Sequence, residues 1–385
     1  MHLQFYGAAG EVTGSCHILT VRGRTLLLDC GLIQGGDQPD IRNRQPFPFD
    51  AAAIDAVVLS HAHIDHCGRL PLLRKRGFRG PIYATPACRD LARILLADSA
   101  FMAEREAERY RRRQAEHGNR HARGFPDPLF TRVDADETIQ QFKPVAYGHA
   151  TEVLPGVTLT FRDAGHILGS ASVWLQLEEE GIRSRVVFSG DVGQYDSPIL
   201  RDPEGNGAVD VVVMESTYGN RRHRERSDTL REFGEILRAA RAGGGNVLIP
   251  AFAVGRSQEV LYELASHFDD WRVGDWQVFL DSPMAIEASE IYWKHPELYD
   301  AEASAVRRDA GRMPLLPNLK LCRSAEESMA INLLPGGAII IAGSGMCNGG
   351  RIVHHLKHNI THRECDVIFT GFQAVGTLGR AIVDG

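Results

Sequence analysis

In Val57-Val58-Leu59-Ser60-His61-Ala62-His63-Ile64-Asp65-His66 a short apolar run meets three imidazoles and a carboxylate within six residues. The run is β-branched and reads as a buried strand. The polar residues after it read as a tight loop, because on a helix His61, His63 and His66 would spread around the axis. Imidazole and carboxylate donors converging at a strand end suit zinc or a similar divalent ion. The alternative is a polar loop with chance histidines. Both the spacing and the setting speak against it.

Upstream of this stretch, residues 3–30 read as antiparallel strands. A turn-rich loop covers 7–14, a strand 17–21, a turn 22–24 and another strand 25–29. Asp29 ends that strand and is a candidate to orient a histidine of the metal loop. Capping a turn explains it equally well. Downstream, 82–84 is a short strand, and Thr85 caps a helix with Pro86 at its first position. Leu91, Ile94, Leu95 and Met102 keep the helical spacing, and the helix runs into an Arg- and Glu-rich stretch over 105–123. There Arg109, Arg111, Arg112 and Arg113 fit either an RNA-facing patch or a solvated helix with Glu–Arg pairs.

Strands then return over 157–161, 172–177, 185–188 and 209–214. Two of them run into polar segments, Gly165-His166-Ile167-Leu168-Gly169-Ser170 and Ser189-Gly190-Asp191-Val192-Gly193. His166 and Asp191 are therefore candidates for further ligands. His149, in a connection poorer in glycine, reads as a surface histidine. From about residue 226 the pattern changes to helix 227–242, strand 246–249, helix 254–268, strand 277–280 and helix 283–294. Strand 338–342, helix 349–360 and strand 366–369 complete it. Such alternation implies a mainly parallel, helix-covered sheet and a second unit.

A chain of 385 residues exceeds one ordinary domain, and an apolar fraction of 43% allows a full core. A net charge of −6 argues against tight, nonspecific nucleic-acid binding across the whole surface, though not against a local basic cleft. The seven cysteines form no CxxC pair, which argues against a disulfide framework or a cysteine zinc site and for a reducing compartment. No signal peptide or membrane span is expected, so the predicted location is cytoplasmic.

The ordered series HAHIDH, GHILGS and SGDVG resembles the metallo-β-lactamase fold, an αββα sandwich with metals at one edge of its sheets. Glu215-Ser216-Thr217-Tyr218-Gly219, Ile249-Pro250-Ala251-Phe252-Ala253-Val254-Gly255-Arg256, Asp281-Ser282-Pro283-Met284 and Gly343-Ser344-Gly345-Met346 extend the resemblance to the β-CASP nucleases. That family carries an extra α/β domain inserted into the lactamase-fold domain, and the resemblance covers nearly the whole chain. It implies a metallo-β-lactamase part over 1–214, a β-CASP domain over 215–370, and the start of a return to the first domain over 371–385. It also implies that His61, His63 and His166 hold one metal, that Asp65 and His66 hold a second, and that Asp191 bridges them. Glu215 would support the site by orienting Asp65 or a histidine. Two departures stand out. Gly376-Thr377-Leu378-Gly379-Arg380 is followed by Ala381, where the family has a histidine taken as a general acid, so the acid is unassigned. The family's last metal-binding histidine would lie beyond Gly385, so this sequence is expected to be a truncated form with an incomplete second site.

Two divalent ions roughly 3.5–4 Å apart can hold a hydroxide and clamp both oxygens of an in-line displacement. The expected function is thus a zinc-dependent endoribonuclease, with 5′-exonuclease action left open. It would use two Zn2+ and leave 5′-phosphate and 3′-hydroxyl ends. Phosphate donors are expected at helix starts, from Arg256 and Ser257, from Ser344 and Gly345, and from Arg351. Those glycine-rich turns also serve simply to join strand to helix. Asn220-Arg221-Arg222-His223-Arg224 reads as a basic lip or a solvated loop. His354, His355 and His358 share a helix and read as cleft lining or core. RNA is the expected partner, with a homodimer left open. A DNA nuclease of the same superfamily and a non-catalytic RNA-binding subunit are the rival readings. The large second domain disfavours a lactamase or thioesterase.

Overall fold

A computed structural model describes residues 1–35, 37–117, 124–205, 207–310 and 316–385. The chain divides into two compact units. The first comprises Met1–Ser197 and Arg201–Thr217, and the second Pro198–Leu200 and Tyr218–Gly385. The short excursion 198–200 joins the second unit because Leu200 bridges Tyr299 and Asp300 N donates to Ile199 O. The expected third segment, 371–385, also stays with the second unit. Ile382 packs on its core, and Gly379 N donates to Met346 O.

In the first unit β1 (His2–Gly7), β2 (Cys16–Val21), β3 (Arg24–Leu28), β4 (Ala56–Val58), β5 (Ile82–Ala84) and β6 (Phe142–Pro144) form a six-stranded sheet in that order. The hairpin strands β1 to β3 are antiparallel, and β3 to β6 run parallel. A second sheet orders β7 (Thr151–Leu154), β8 (Val157–Asp163), β9 (Ala171–Glu179), β10 (Ile182–Phe188) and β11 (Val211–Val213) as β11-β10-β9-β8-β7. Along β8 every second residue is buried, which is the signature of a strand with one face on a core. Val157, Leu159 and Phe161 meet Val173, Leu175 and Phe188, and also Val21, Leu26, Leu28 and Val58 of the first sheet. The core therefore lies between the two sheets. The helix Pro86–His117 packs against β6, and Arg109, Arg111, Arg112 and Arg113 are all exposed on it. The end of the stretch expected to reach residue 123 lies, over 118–123, outside the described residues.

In the second unit β12 (Val247–Pro250), β13 (Gln277–Asp281), β14 (Leu319–Leu321), β15 (Ala338–Ala342) and β16 (Asp366–Val367) form a parallel sheet ordered β14-β13-β15-β12-β16. The central strand β15 is buried along its whole length, as expected of a strand covered on both faces. Among the described residues no helix is long and apolar enough to cross a membrane.

Candidate metal centre

The parallel strand β4 delivers His61 and His63 in extended chain. Ile64–Cys67 then closes a single helical turn that carries Asp65 and His66. One turn is too short to spread its side chains around an axis. The extended approach and the turn together let all four side chains converge. Backbone bonds clamp this turn: Ser15 N donates to Asp65 O (2.9 Å), Cys30 N to His66 O (2.7 Å) and Leu32 N to Ile64 O (2.9 Å). The approach is so close that a Cβ on Gly31 would sit 1.5 Å from Asp65 O, so only glycine fits there.

The second sheet supplies the rest. His166 follows β8, and Asp191 follows β10. Ligand atoms of His61, His63, His166 and Asp191 all lie within 4.8 Å of one another. His63 Nδ1 is 3.1 Å from both His61 Nε2 and His166 Nε2. Tetrahedral zinc with nitrogen ligands places its donor atoms about 3.3 Å apart, so this spacing fits donors around one ion. Asp191 faces two groups at once. Its Oδ2 lies 3.7 Å from His61 Nε2 and 3.5 Å from His166 Nε2, whereas Oδ1 lies 3.2 Å from His66 Nε2. Asp65 Oδ2 joins the second group at 3.8 Å from His66 Nε2.

Asp29 fixes the orientation of this cluster. It is fully buried. Its Oδ2 accepts from His66 Nδ1 (2.7 Å), Ser60 Oγ (2.9 Å) and Ser15 Oγ (3.1 Å), and its Oδ1 from Ser60 N (2.8 Å). A proton on His66 Nδ1 leaves the Nε2 lone pair aimed at the Asp191 side. The Ser60 hydroxyl, having donated to Asp29, is left to accept from His61 Nδ1 at 3.1 Å, which likewise frees His61 Nε2. Burial works against a charge on His66, but Asp191, Asp29 and Asp65 outweigh it and hold the imidazole well above its usual range. Burial, aided by His66, drives His61 well below that range. For Asp191 burial is again opposed, here by His66, His61 and His166, which hold the carboxyl well below the usual range. The carboxylates of Asp191, Asp29 and Asp65 thus make this cluster a place that favours positive charge.

Glu215 differs from expectation. Its carboxylate accepts from Thr217 N (3.0 Å) and, at 3.4 Å, from Val192 N, while its own N donates to Ser189 Oγ. Among the described residues it bonds neither Asp65 nor a histidine; it braces the loop that carries Asp191. A cavity of about 540 Å3 lined by Ser15, His17, His66, Asp191, Glu215 and Ser216 opens beside the cluster. A larger one, about 940 Å3, lies along the edge near Tyr83, Lys143 and the exposed His149, and holds none of these groups. The smaller is the one with chemistry in its wall.

The second unit places the expected substrate contacts unequally. Arg256 opens the helix Arg256–Ser266 and is exposed, pairing Glu259 at 2.5 Å. Ser344 accepts from Asn348 N through its hydroxyl, and Gly345 O accepts from Gln373 Nε2. Ser257 and Arg351 are committed inward. Buried Ser257 donates to Phe252 O. Arg351 donates to Asp281 Oδ1 (2.6 Å), Cys322 O and Arg323 O. The Ser257 hydroxyl has thus spent its one hydrogen, and Arg351 is anchored through these three bonds. His355 belongs to that same core network, through Asp281 Oδ2 at 2.6 Å and Asn332 Oδ1 at 2.9 Å, whereas His354 and His358 are exposed. The roles of Ser60 and Ser15 were missed in the sequence; the only hint was that Ser60 precedes His61 directly.

Residues 24–251 match the β-lactamase superfamily domain and residues 257–382 the Beta-Casp domain. Ribonuclease TTHA0252 of Thermus thermophilus is 40% identical over 384 residues, covering 100% of this chain and 82% of its own. Transcription termination factor FttA of Methanosarcina mazei is 34% identical over 387 residues, covering 98% and 57%. Its counterpart in Methanocaldococcus jannaschii is 30% identical over 390 residues, covering 100% and 58%. The chain thus spans little more than half the length of the FttA relatives.

Proposed function

We infer that this chain, which belongs to the β-CASP family of the β-lactamase superfamily, is a metal-dependent ribonuclease. The observation that carries this reading is Asp191, whose two oxygens face different donor groups, His61 and His166 on one side and His66 on the other. His61, His63 and His166 would hold one ion, Asp65 and His66 a second, and Asp191 would be shared. The donor chemistry favours zinc. Bound there, two such ions would supply an activated water for in-line attack on a phosphodiester and charge stabilisation for the attacking and leaving oxygens, giving 5′-phosphate and 3′-hydroxyl ends.

The chain's own residues prepare that chemistry. Asp29 and Ser60 hold the His66 and His61 rings in the tautomers that leave their Nε2 atoms free. Glu215 braces the Val192 amide and with it the Asp191 loop. Arg256, with Ser344 and Gly345, would meet the RNA backbone. Ser257 and Arg351 hold the elements that present them. RNA rather than DNA is supported by the name of the Thermus thermophilus relative. Residues 1–214 would make the metallo-β-lactamase part and 215–370 the β-CASP domain. Seven free cysteines suit a reducing cytoplasm.

The test is incubation of metal-loaded protein with end-labelled RNA and DNA of matched sequence. Internal cuts in RNA with 5′-phosphate ends are expected. Cuts in DNA alone would replace this reading by the DNA-nuclease one.

A further inference from the structure

We propose that Tyr218, Arg221, His223 and Phe372 form a stacking platform for one nucleobase of single-stranded RNA, an inference that rests on the ribonuclease reading. All four residues lie in the second unit. The Tyr218 and His223 rings are 4.1 Å apart and tilted by 45°. Phe372 stands edge-on to Tyr218 at 6.4 Å and 79°. The Arg221 guanidinium lies 4.8 Å from the centre of the Tyr218 ring and 5.2 Å from that of Phe372. A turn fixes the register, with Arg221 N donating to Tyr218 O.

These rings do not serve the core. Phe372 is 40% exposed, Arg221 and His223 are exposed, and none of the four belongs to either buried cluster of the second unit. Arg221 forms no ion pair among the described residues, so its charge meets ring faces and no carboxylate. Arg224, by contrast, is paired with Glu232, which leaves Arg221 and Arg222 as the cations of this loop. The exposed rings of Phe372 and His223, beside guanidinium groups without an acidic partner, are what a single strand needs. A base stacks on the ring, and the phosphate next to it meets the cation. A flat apolar partner without negative charge would use the rings and waste the arginines; an acidic peptide would do the reverse. A nucleotide uses both. Every base has a π-face, so stacking on these rings would accept any base.

The test uses metal-loaded protein and a fluorescent, cleavage-resistant phosphorothioate RNA, with a single abasic site moved along the strand. Phe372→Ala and Tyr218→Ala should each weaken binding about 5- to 30-fold, in keeping with loss of one stacked base. Tyr218→Phe should bind like wild type, which separates stacking from folding. One abasic position should weaken wild-type binding by a similar factor and have no further effect in Phe372→Ala. The salt dependence should stay unchanged in Phe372→Ala and flatten in Arg222→Ala. An abasic penalty equal in wild type and Phe372→Ala at every position would overturn the platform. So would unaltered affinity in both alanine variants. Cleavage of unmodified RNA in parallel tests the ribonuclease reading separately. Cleavage without base coupling sinks only the platform, and base coupling without cleavage sinks only the nuclease.

Discussion

Replacing Asp29 by Asn tests whether a buried carboxylate 37 residues away in sequence sets the state of His66. The substitution keeps shape and volume. It also keeps the backbone, because Asp29 has φ 58, a left-handed conformation that Asn tolerates well. What changes is the hydrogen-bond count. Four donors point at Asp29: Ser60 N, Ser60 Oγ, Ser15 Oγ and His66 Nδ1. The Asn oxygen can still take Ser60 N, and the two hydroxyls can rotate to accept from the new amide. The His66 ring cannot rotate its proton away. Either that donor is left unpaired, at about 1–3 kcal/mol, or the ring changes tautomer and points N–H towards Asp191. The second outcome removes a metal lone pair. Loss of such an outer partner typically lowers metal affinity 10- to 100-fold. We therefore expect zinc affinity, measured by competition with a chromophoric chelator, to fall within that range. Thermal unfolding should stay cooperative with a Tm a few degrees lower. Zinc affinity within twofold of wild type, with an unchanged Tm, would refute the reasoning.

Three further predictions follow from the geometry. Asp191→Ala should abolish RNA cleavage with an unaltered circular dichroism spectrum, since the side chain is 30% exposed and fills no core; near-normal cleavage would remove its shared role. Arg256→Ala should raise the half-saturating RNA concentration and reduce the salt slope by about 0.7, the value for one phosphate contact on a single strand; an unchanged slope would exclude direct contact. Asp281→Asn should flatten the acid stability profile. Burial opposes the charge of Asp281, but His355, Ser328 and Arg351 hold its pKa below the ordinary 3.8. A depressed carboxyl contributes stability that is present above the unfolded pKa and lost as pH falls through the folded one. Urea unfolding should therefore show the wild-type protein losing this part only below about pH 4, and the variant lacking it at every pH. Identical slopes below pH 4 would contradict the network.

Much of the candidate metal centre was legible because the residues that converge there sit where strands stop, and apolar runs mark those stops clearly. HAHIDH, GHILGS and SGDVG each follow such a run. The second unit was equally readable: the expected strand 338–342 and helix 283–294 match Ala338–Ala342 and Pro283–Lys294. What escaped was short or non-local. Phe142–Pro144 has three residues and Ile64–Cys67 four, too few to show a period. A helix-start pattern locates a backbone but does not say where a side chain is committed. Arg351 looked like a phosphate donor, yet its partner Asp281 lies 70 residues earlier, at the end of a strand. Glu215 was expected against a ligand and instead holds the backbone of the ligand loop. Such pairings arise from the fold, and no local spacing encodes them.

The most direct measurement is the cleavage rate of one internally labelled RNA by chelator-stripped protein as zinc is added back. Cleavage should be absent without metal and rise with zinc more than with manganese, giving internal products with 5′-phosphate ends. Equal cleavage in the presence of chelator, or none at any metal concentration, would contradict the account.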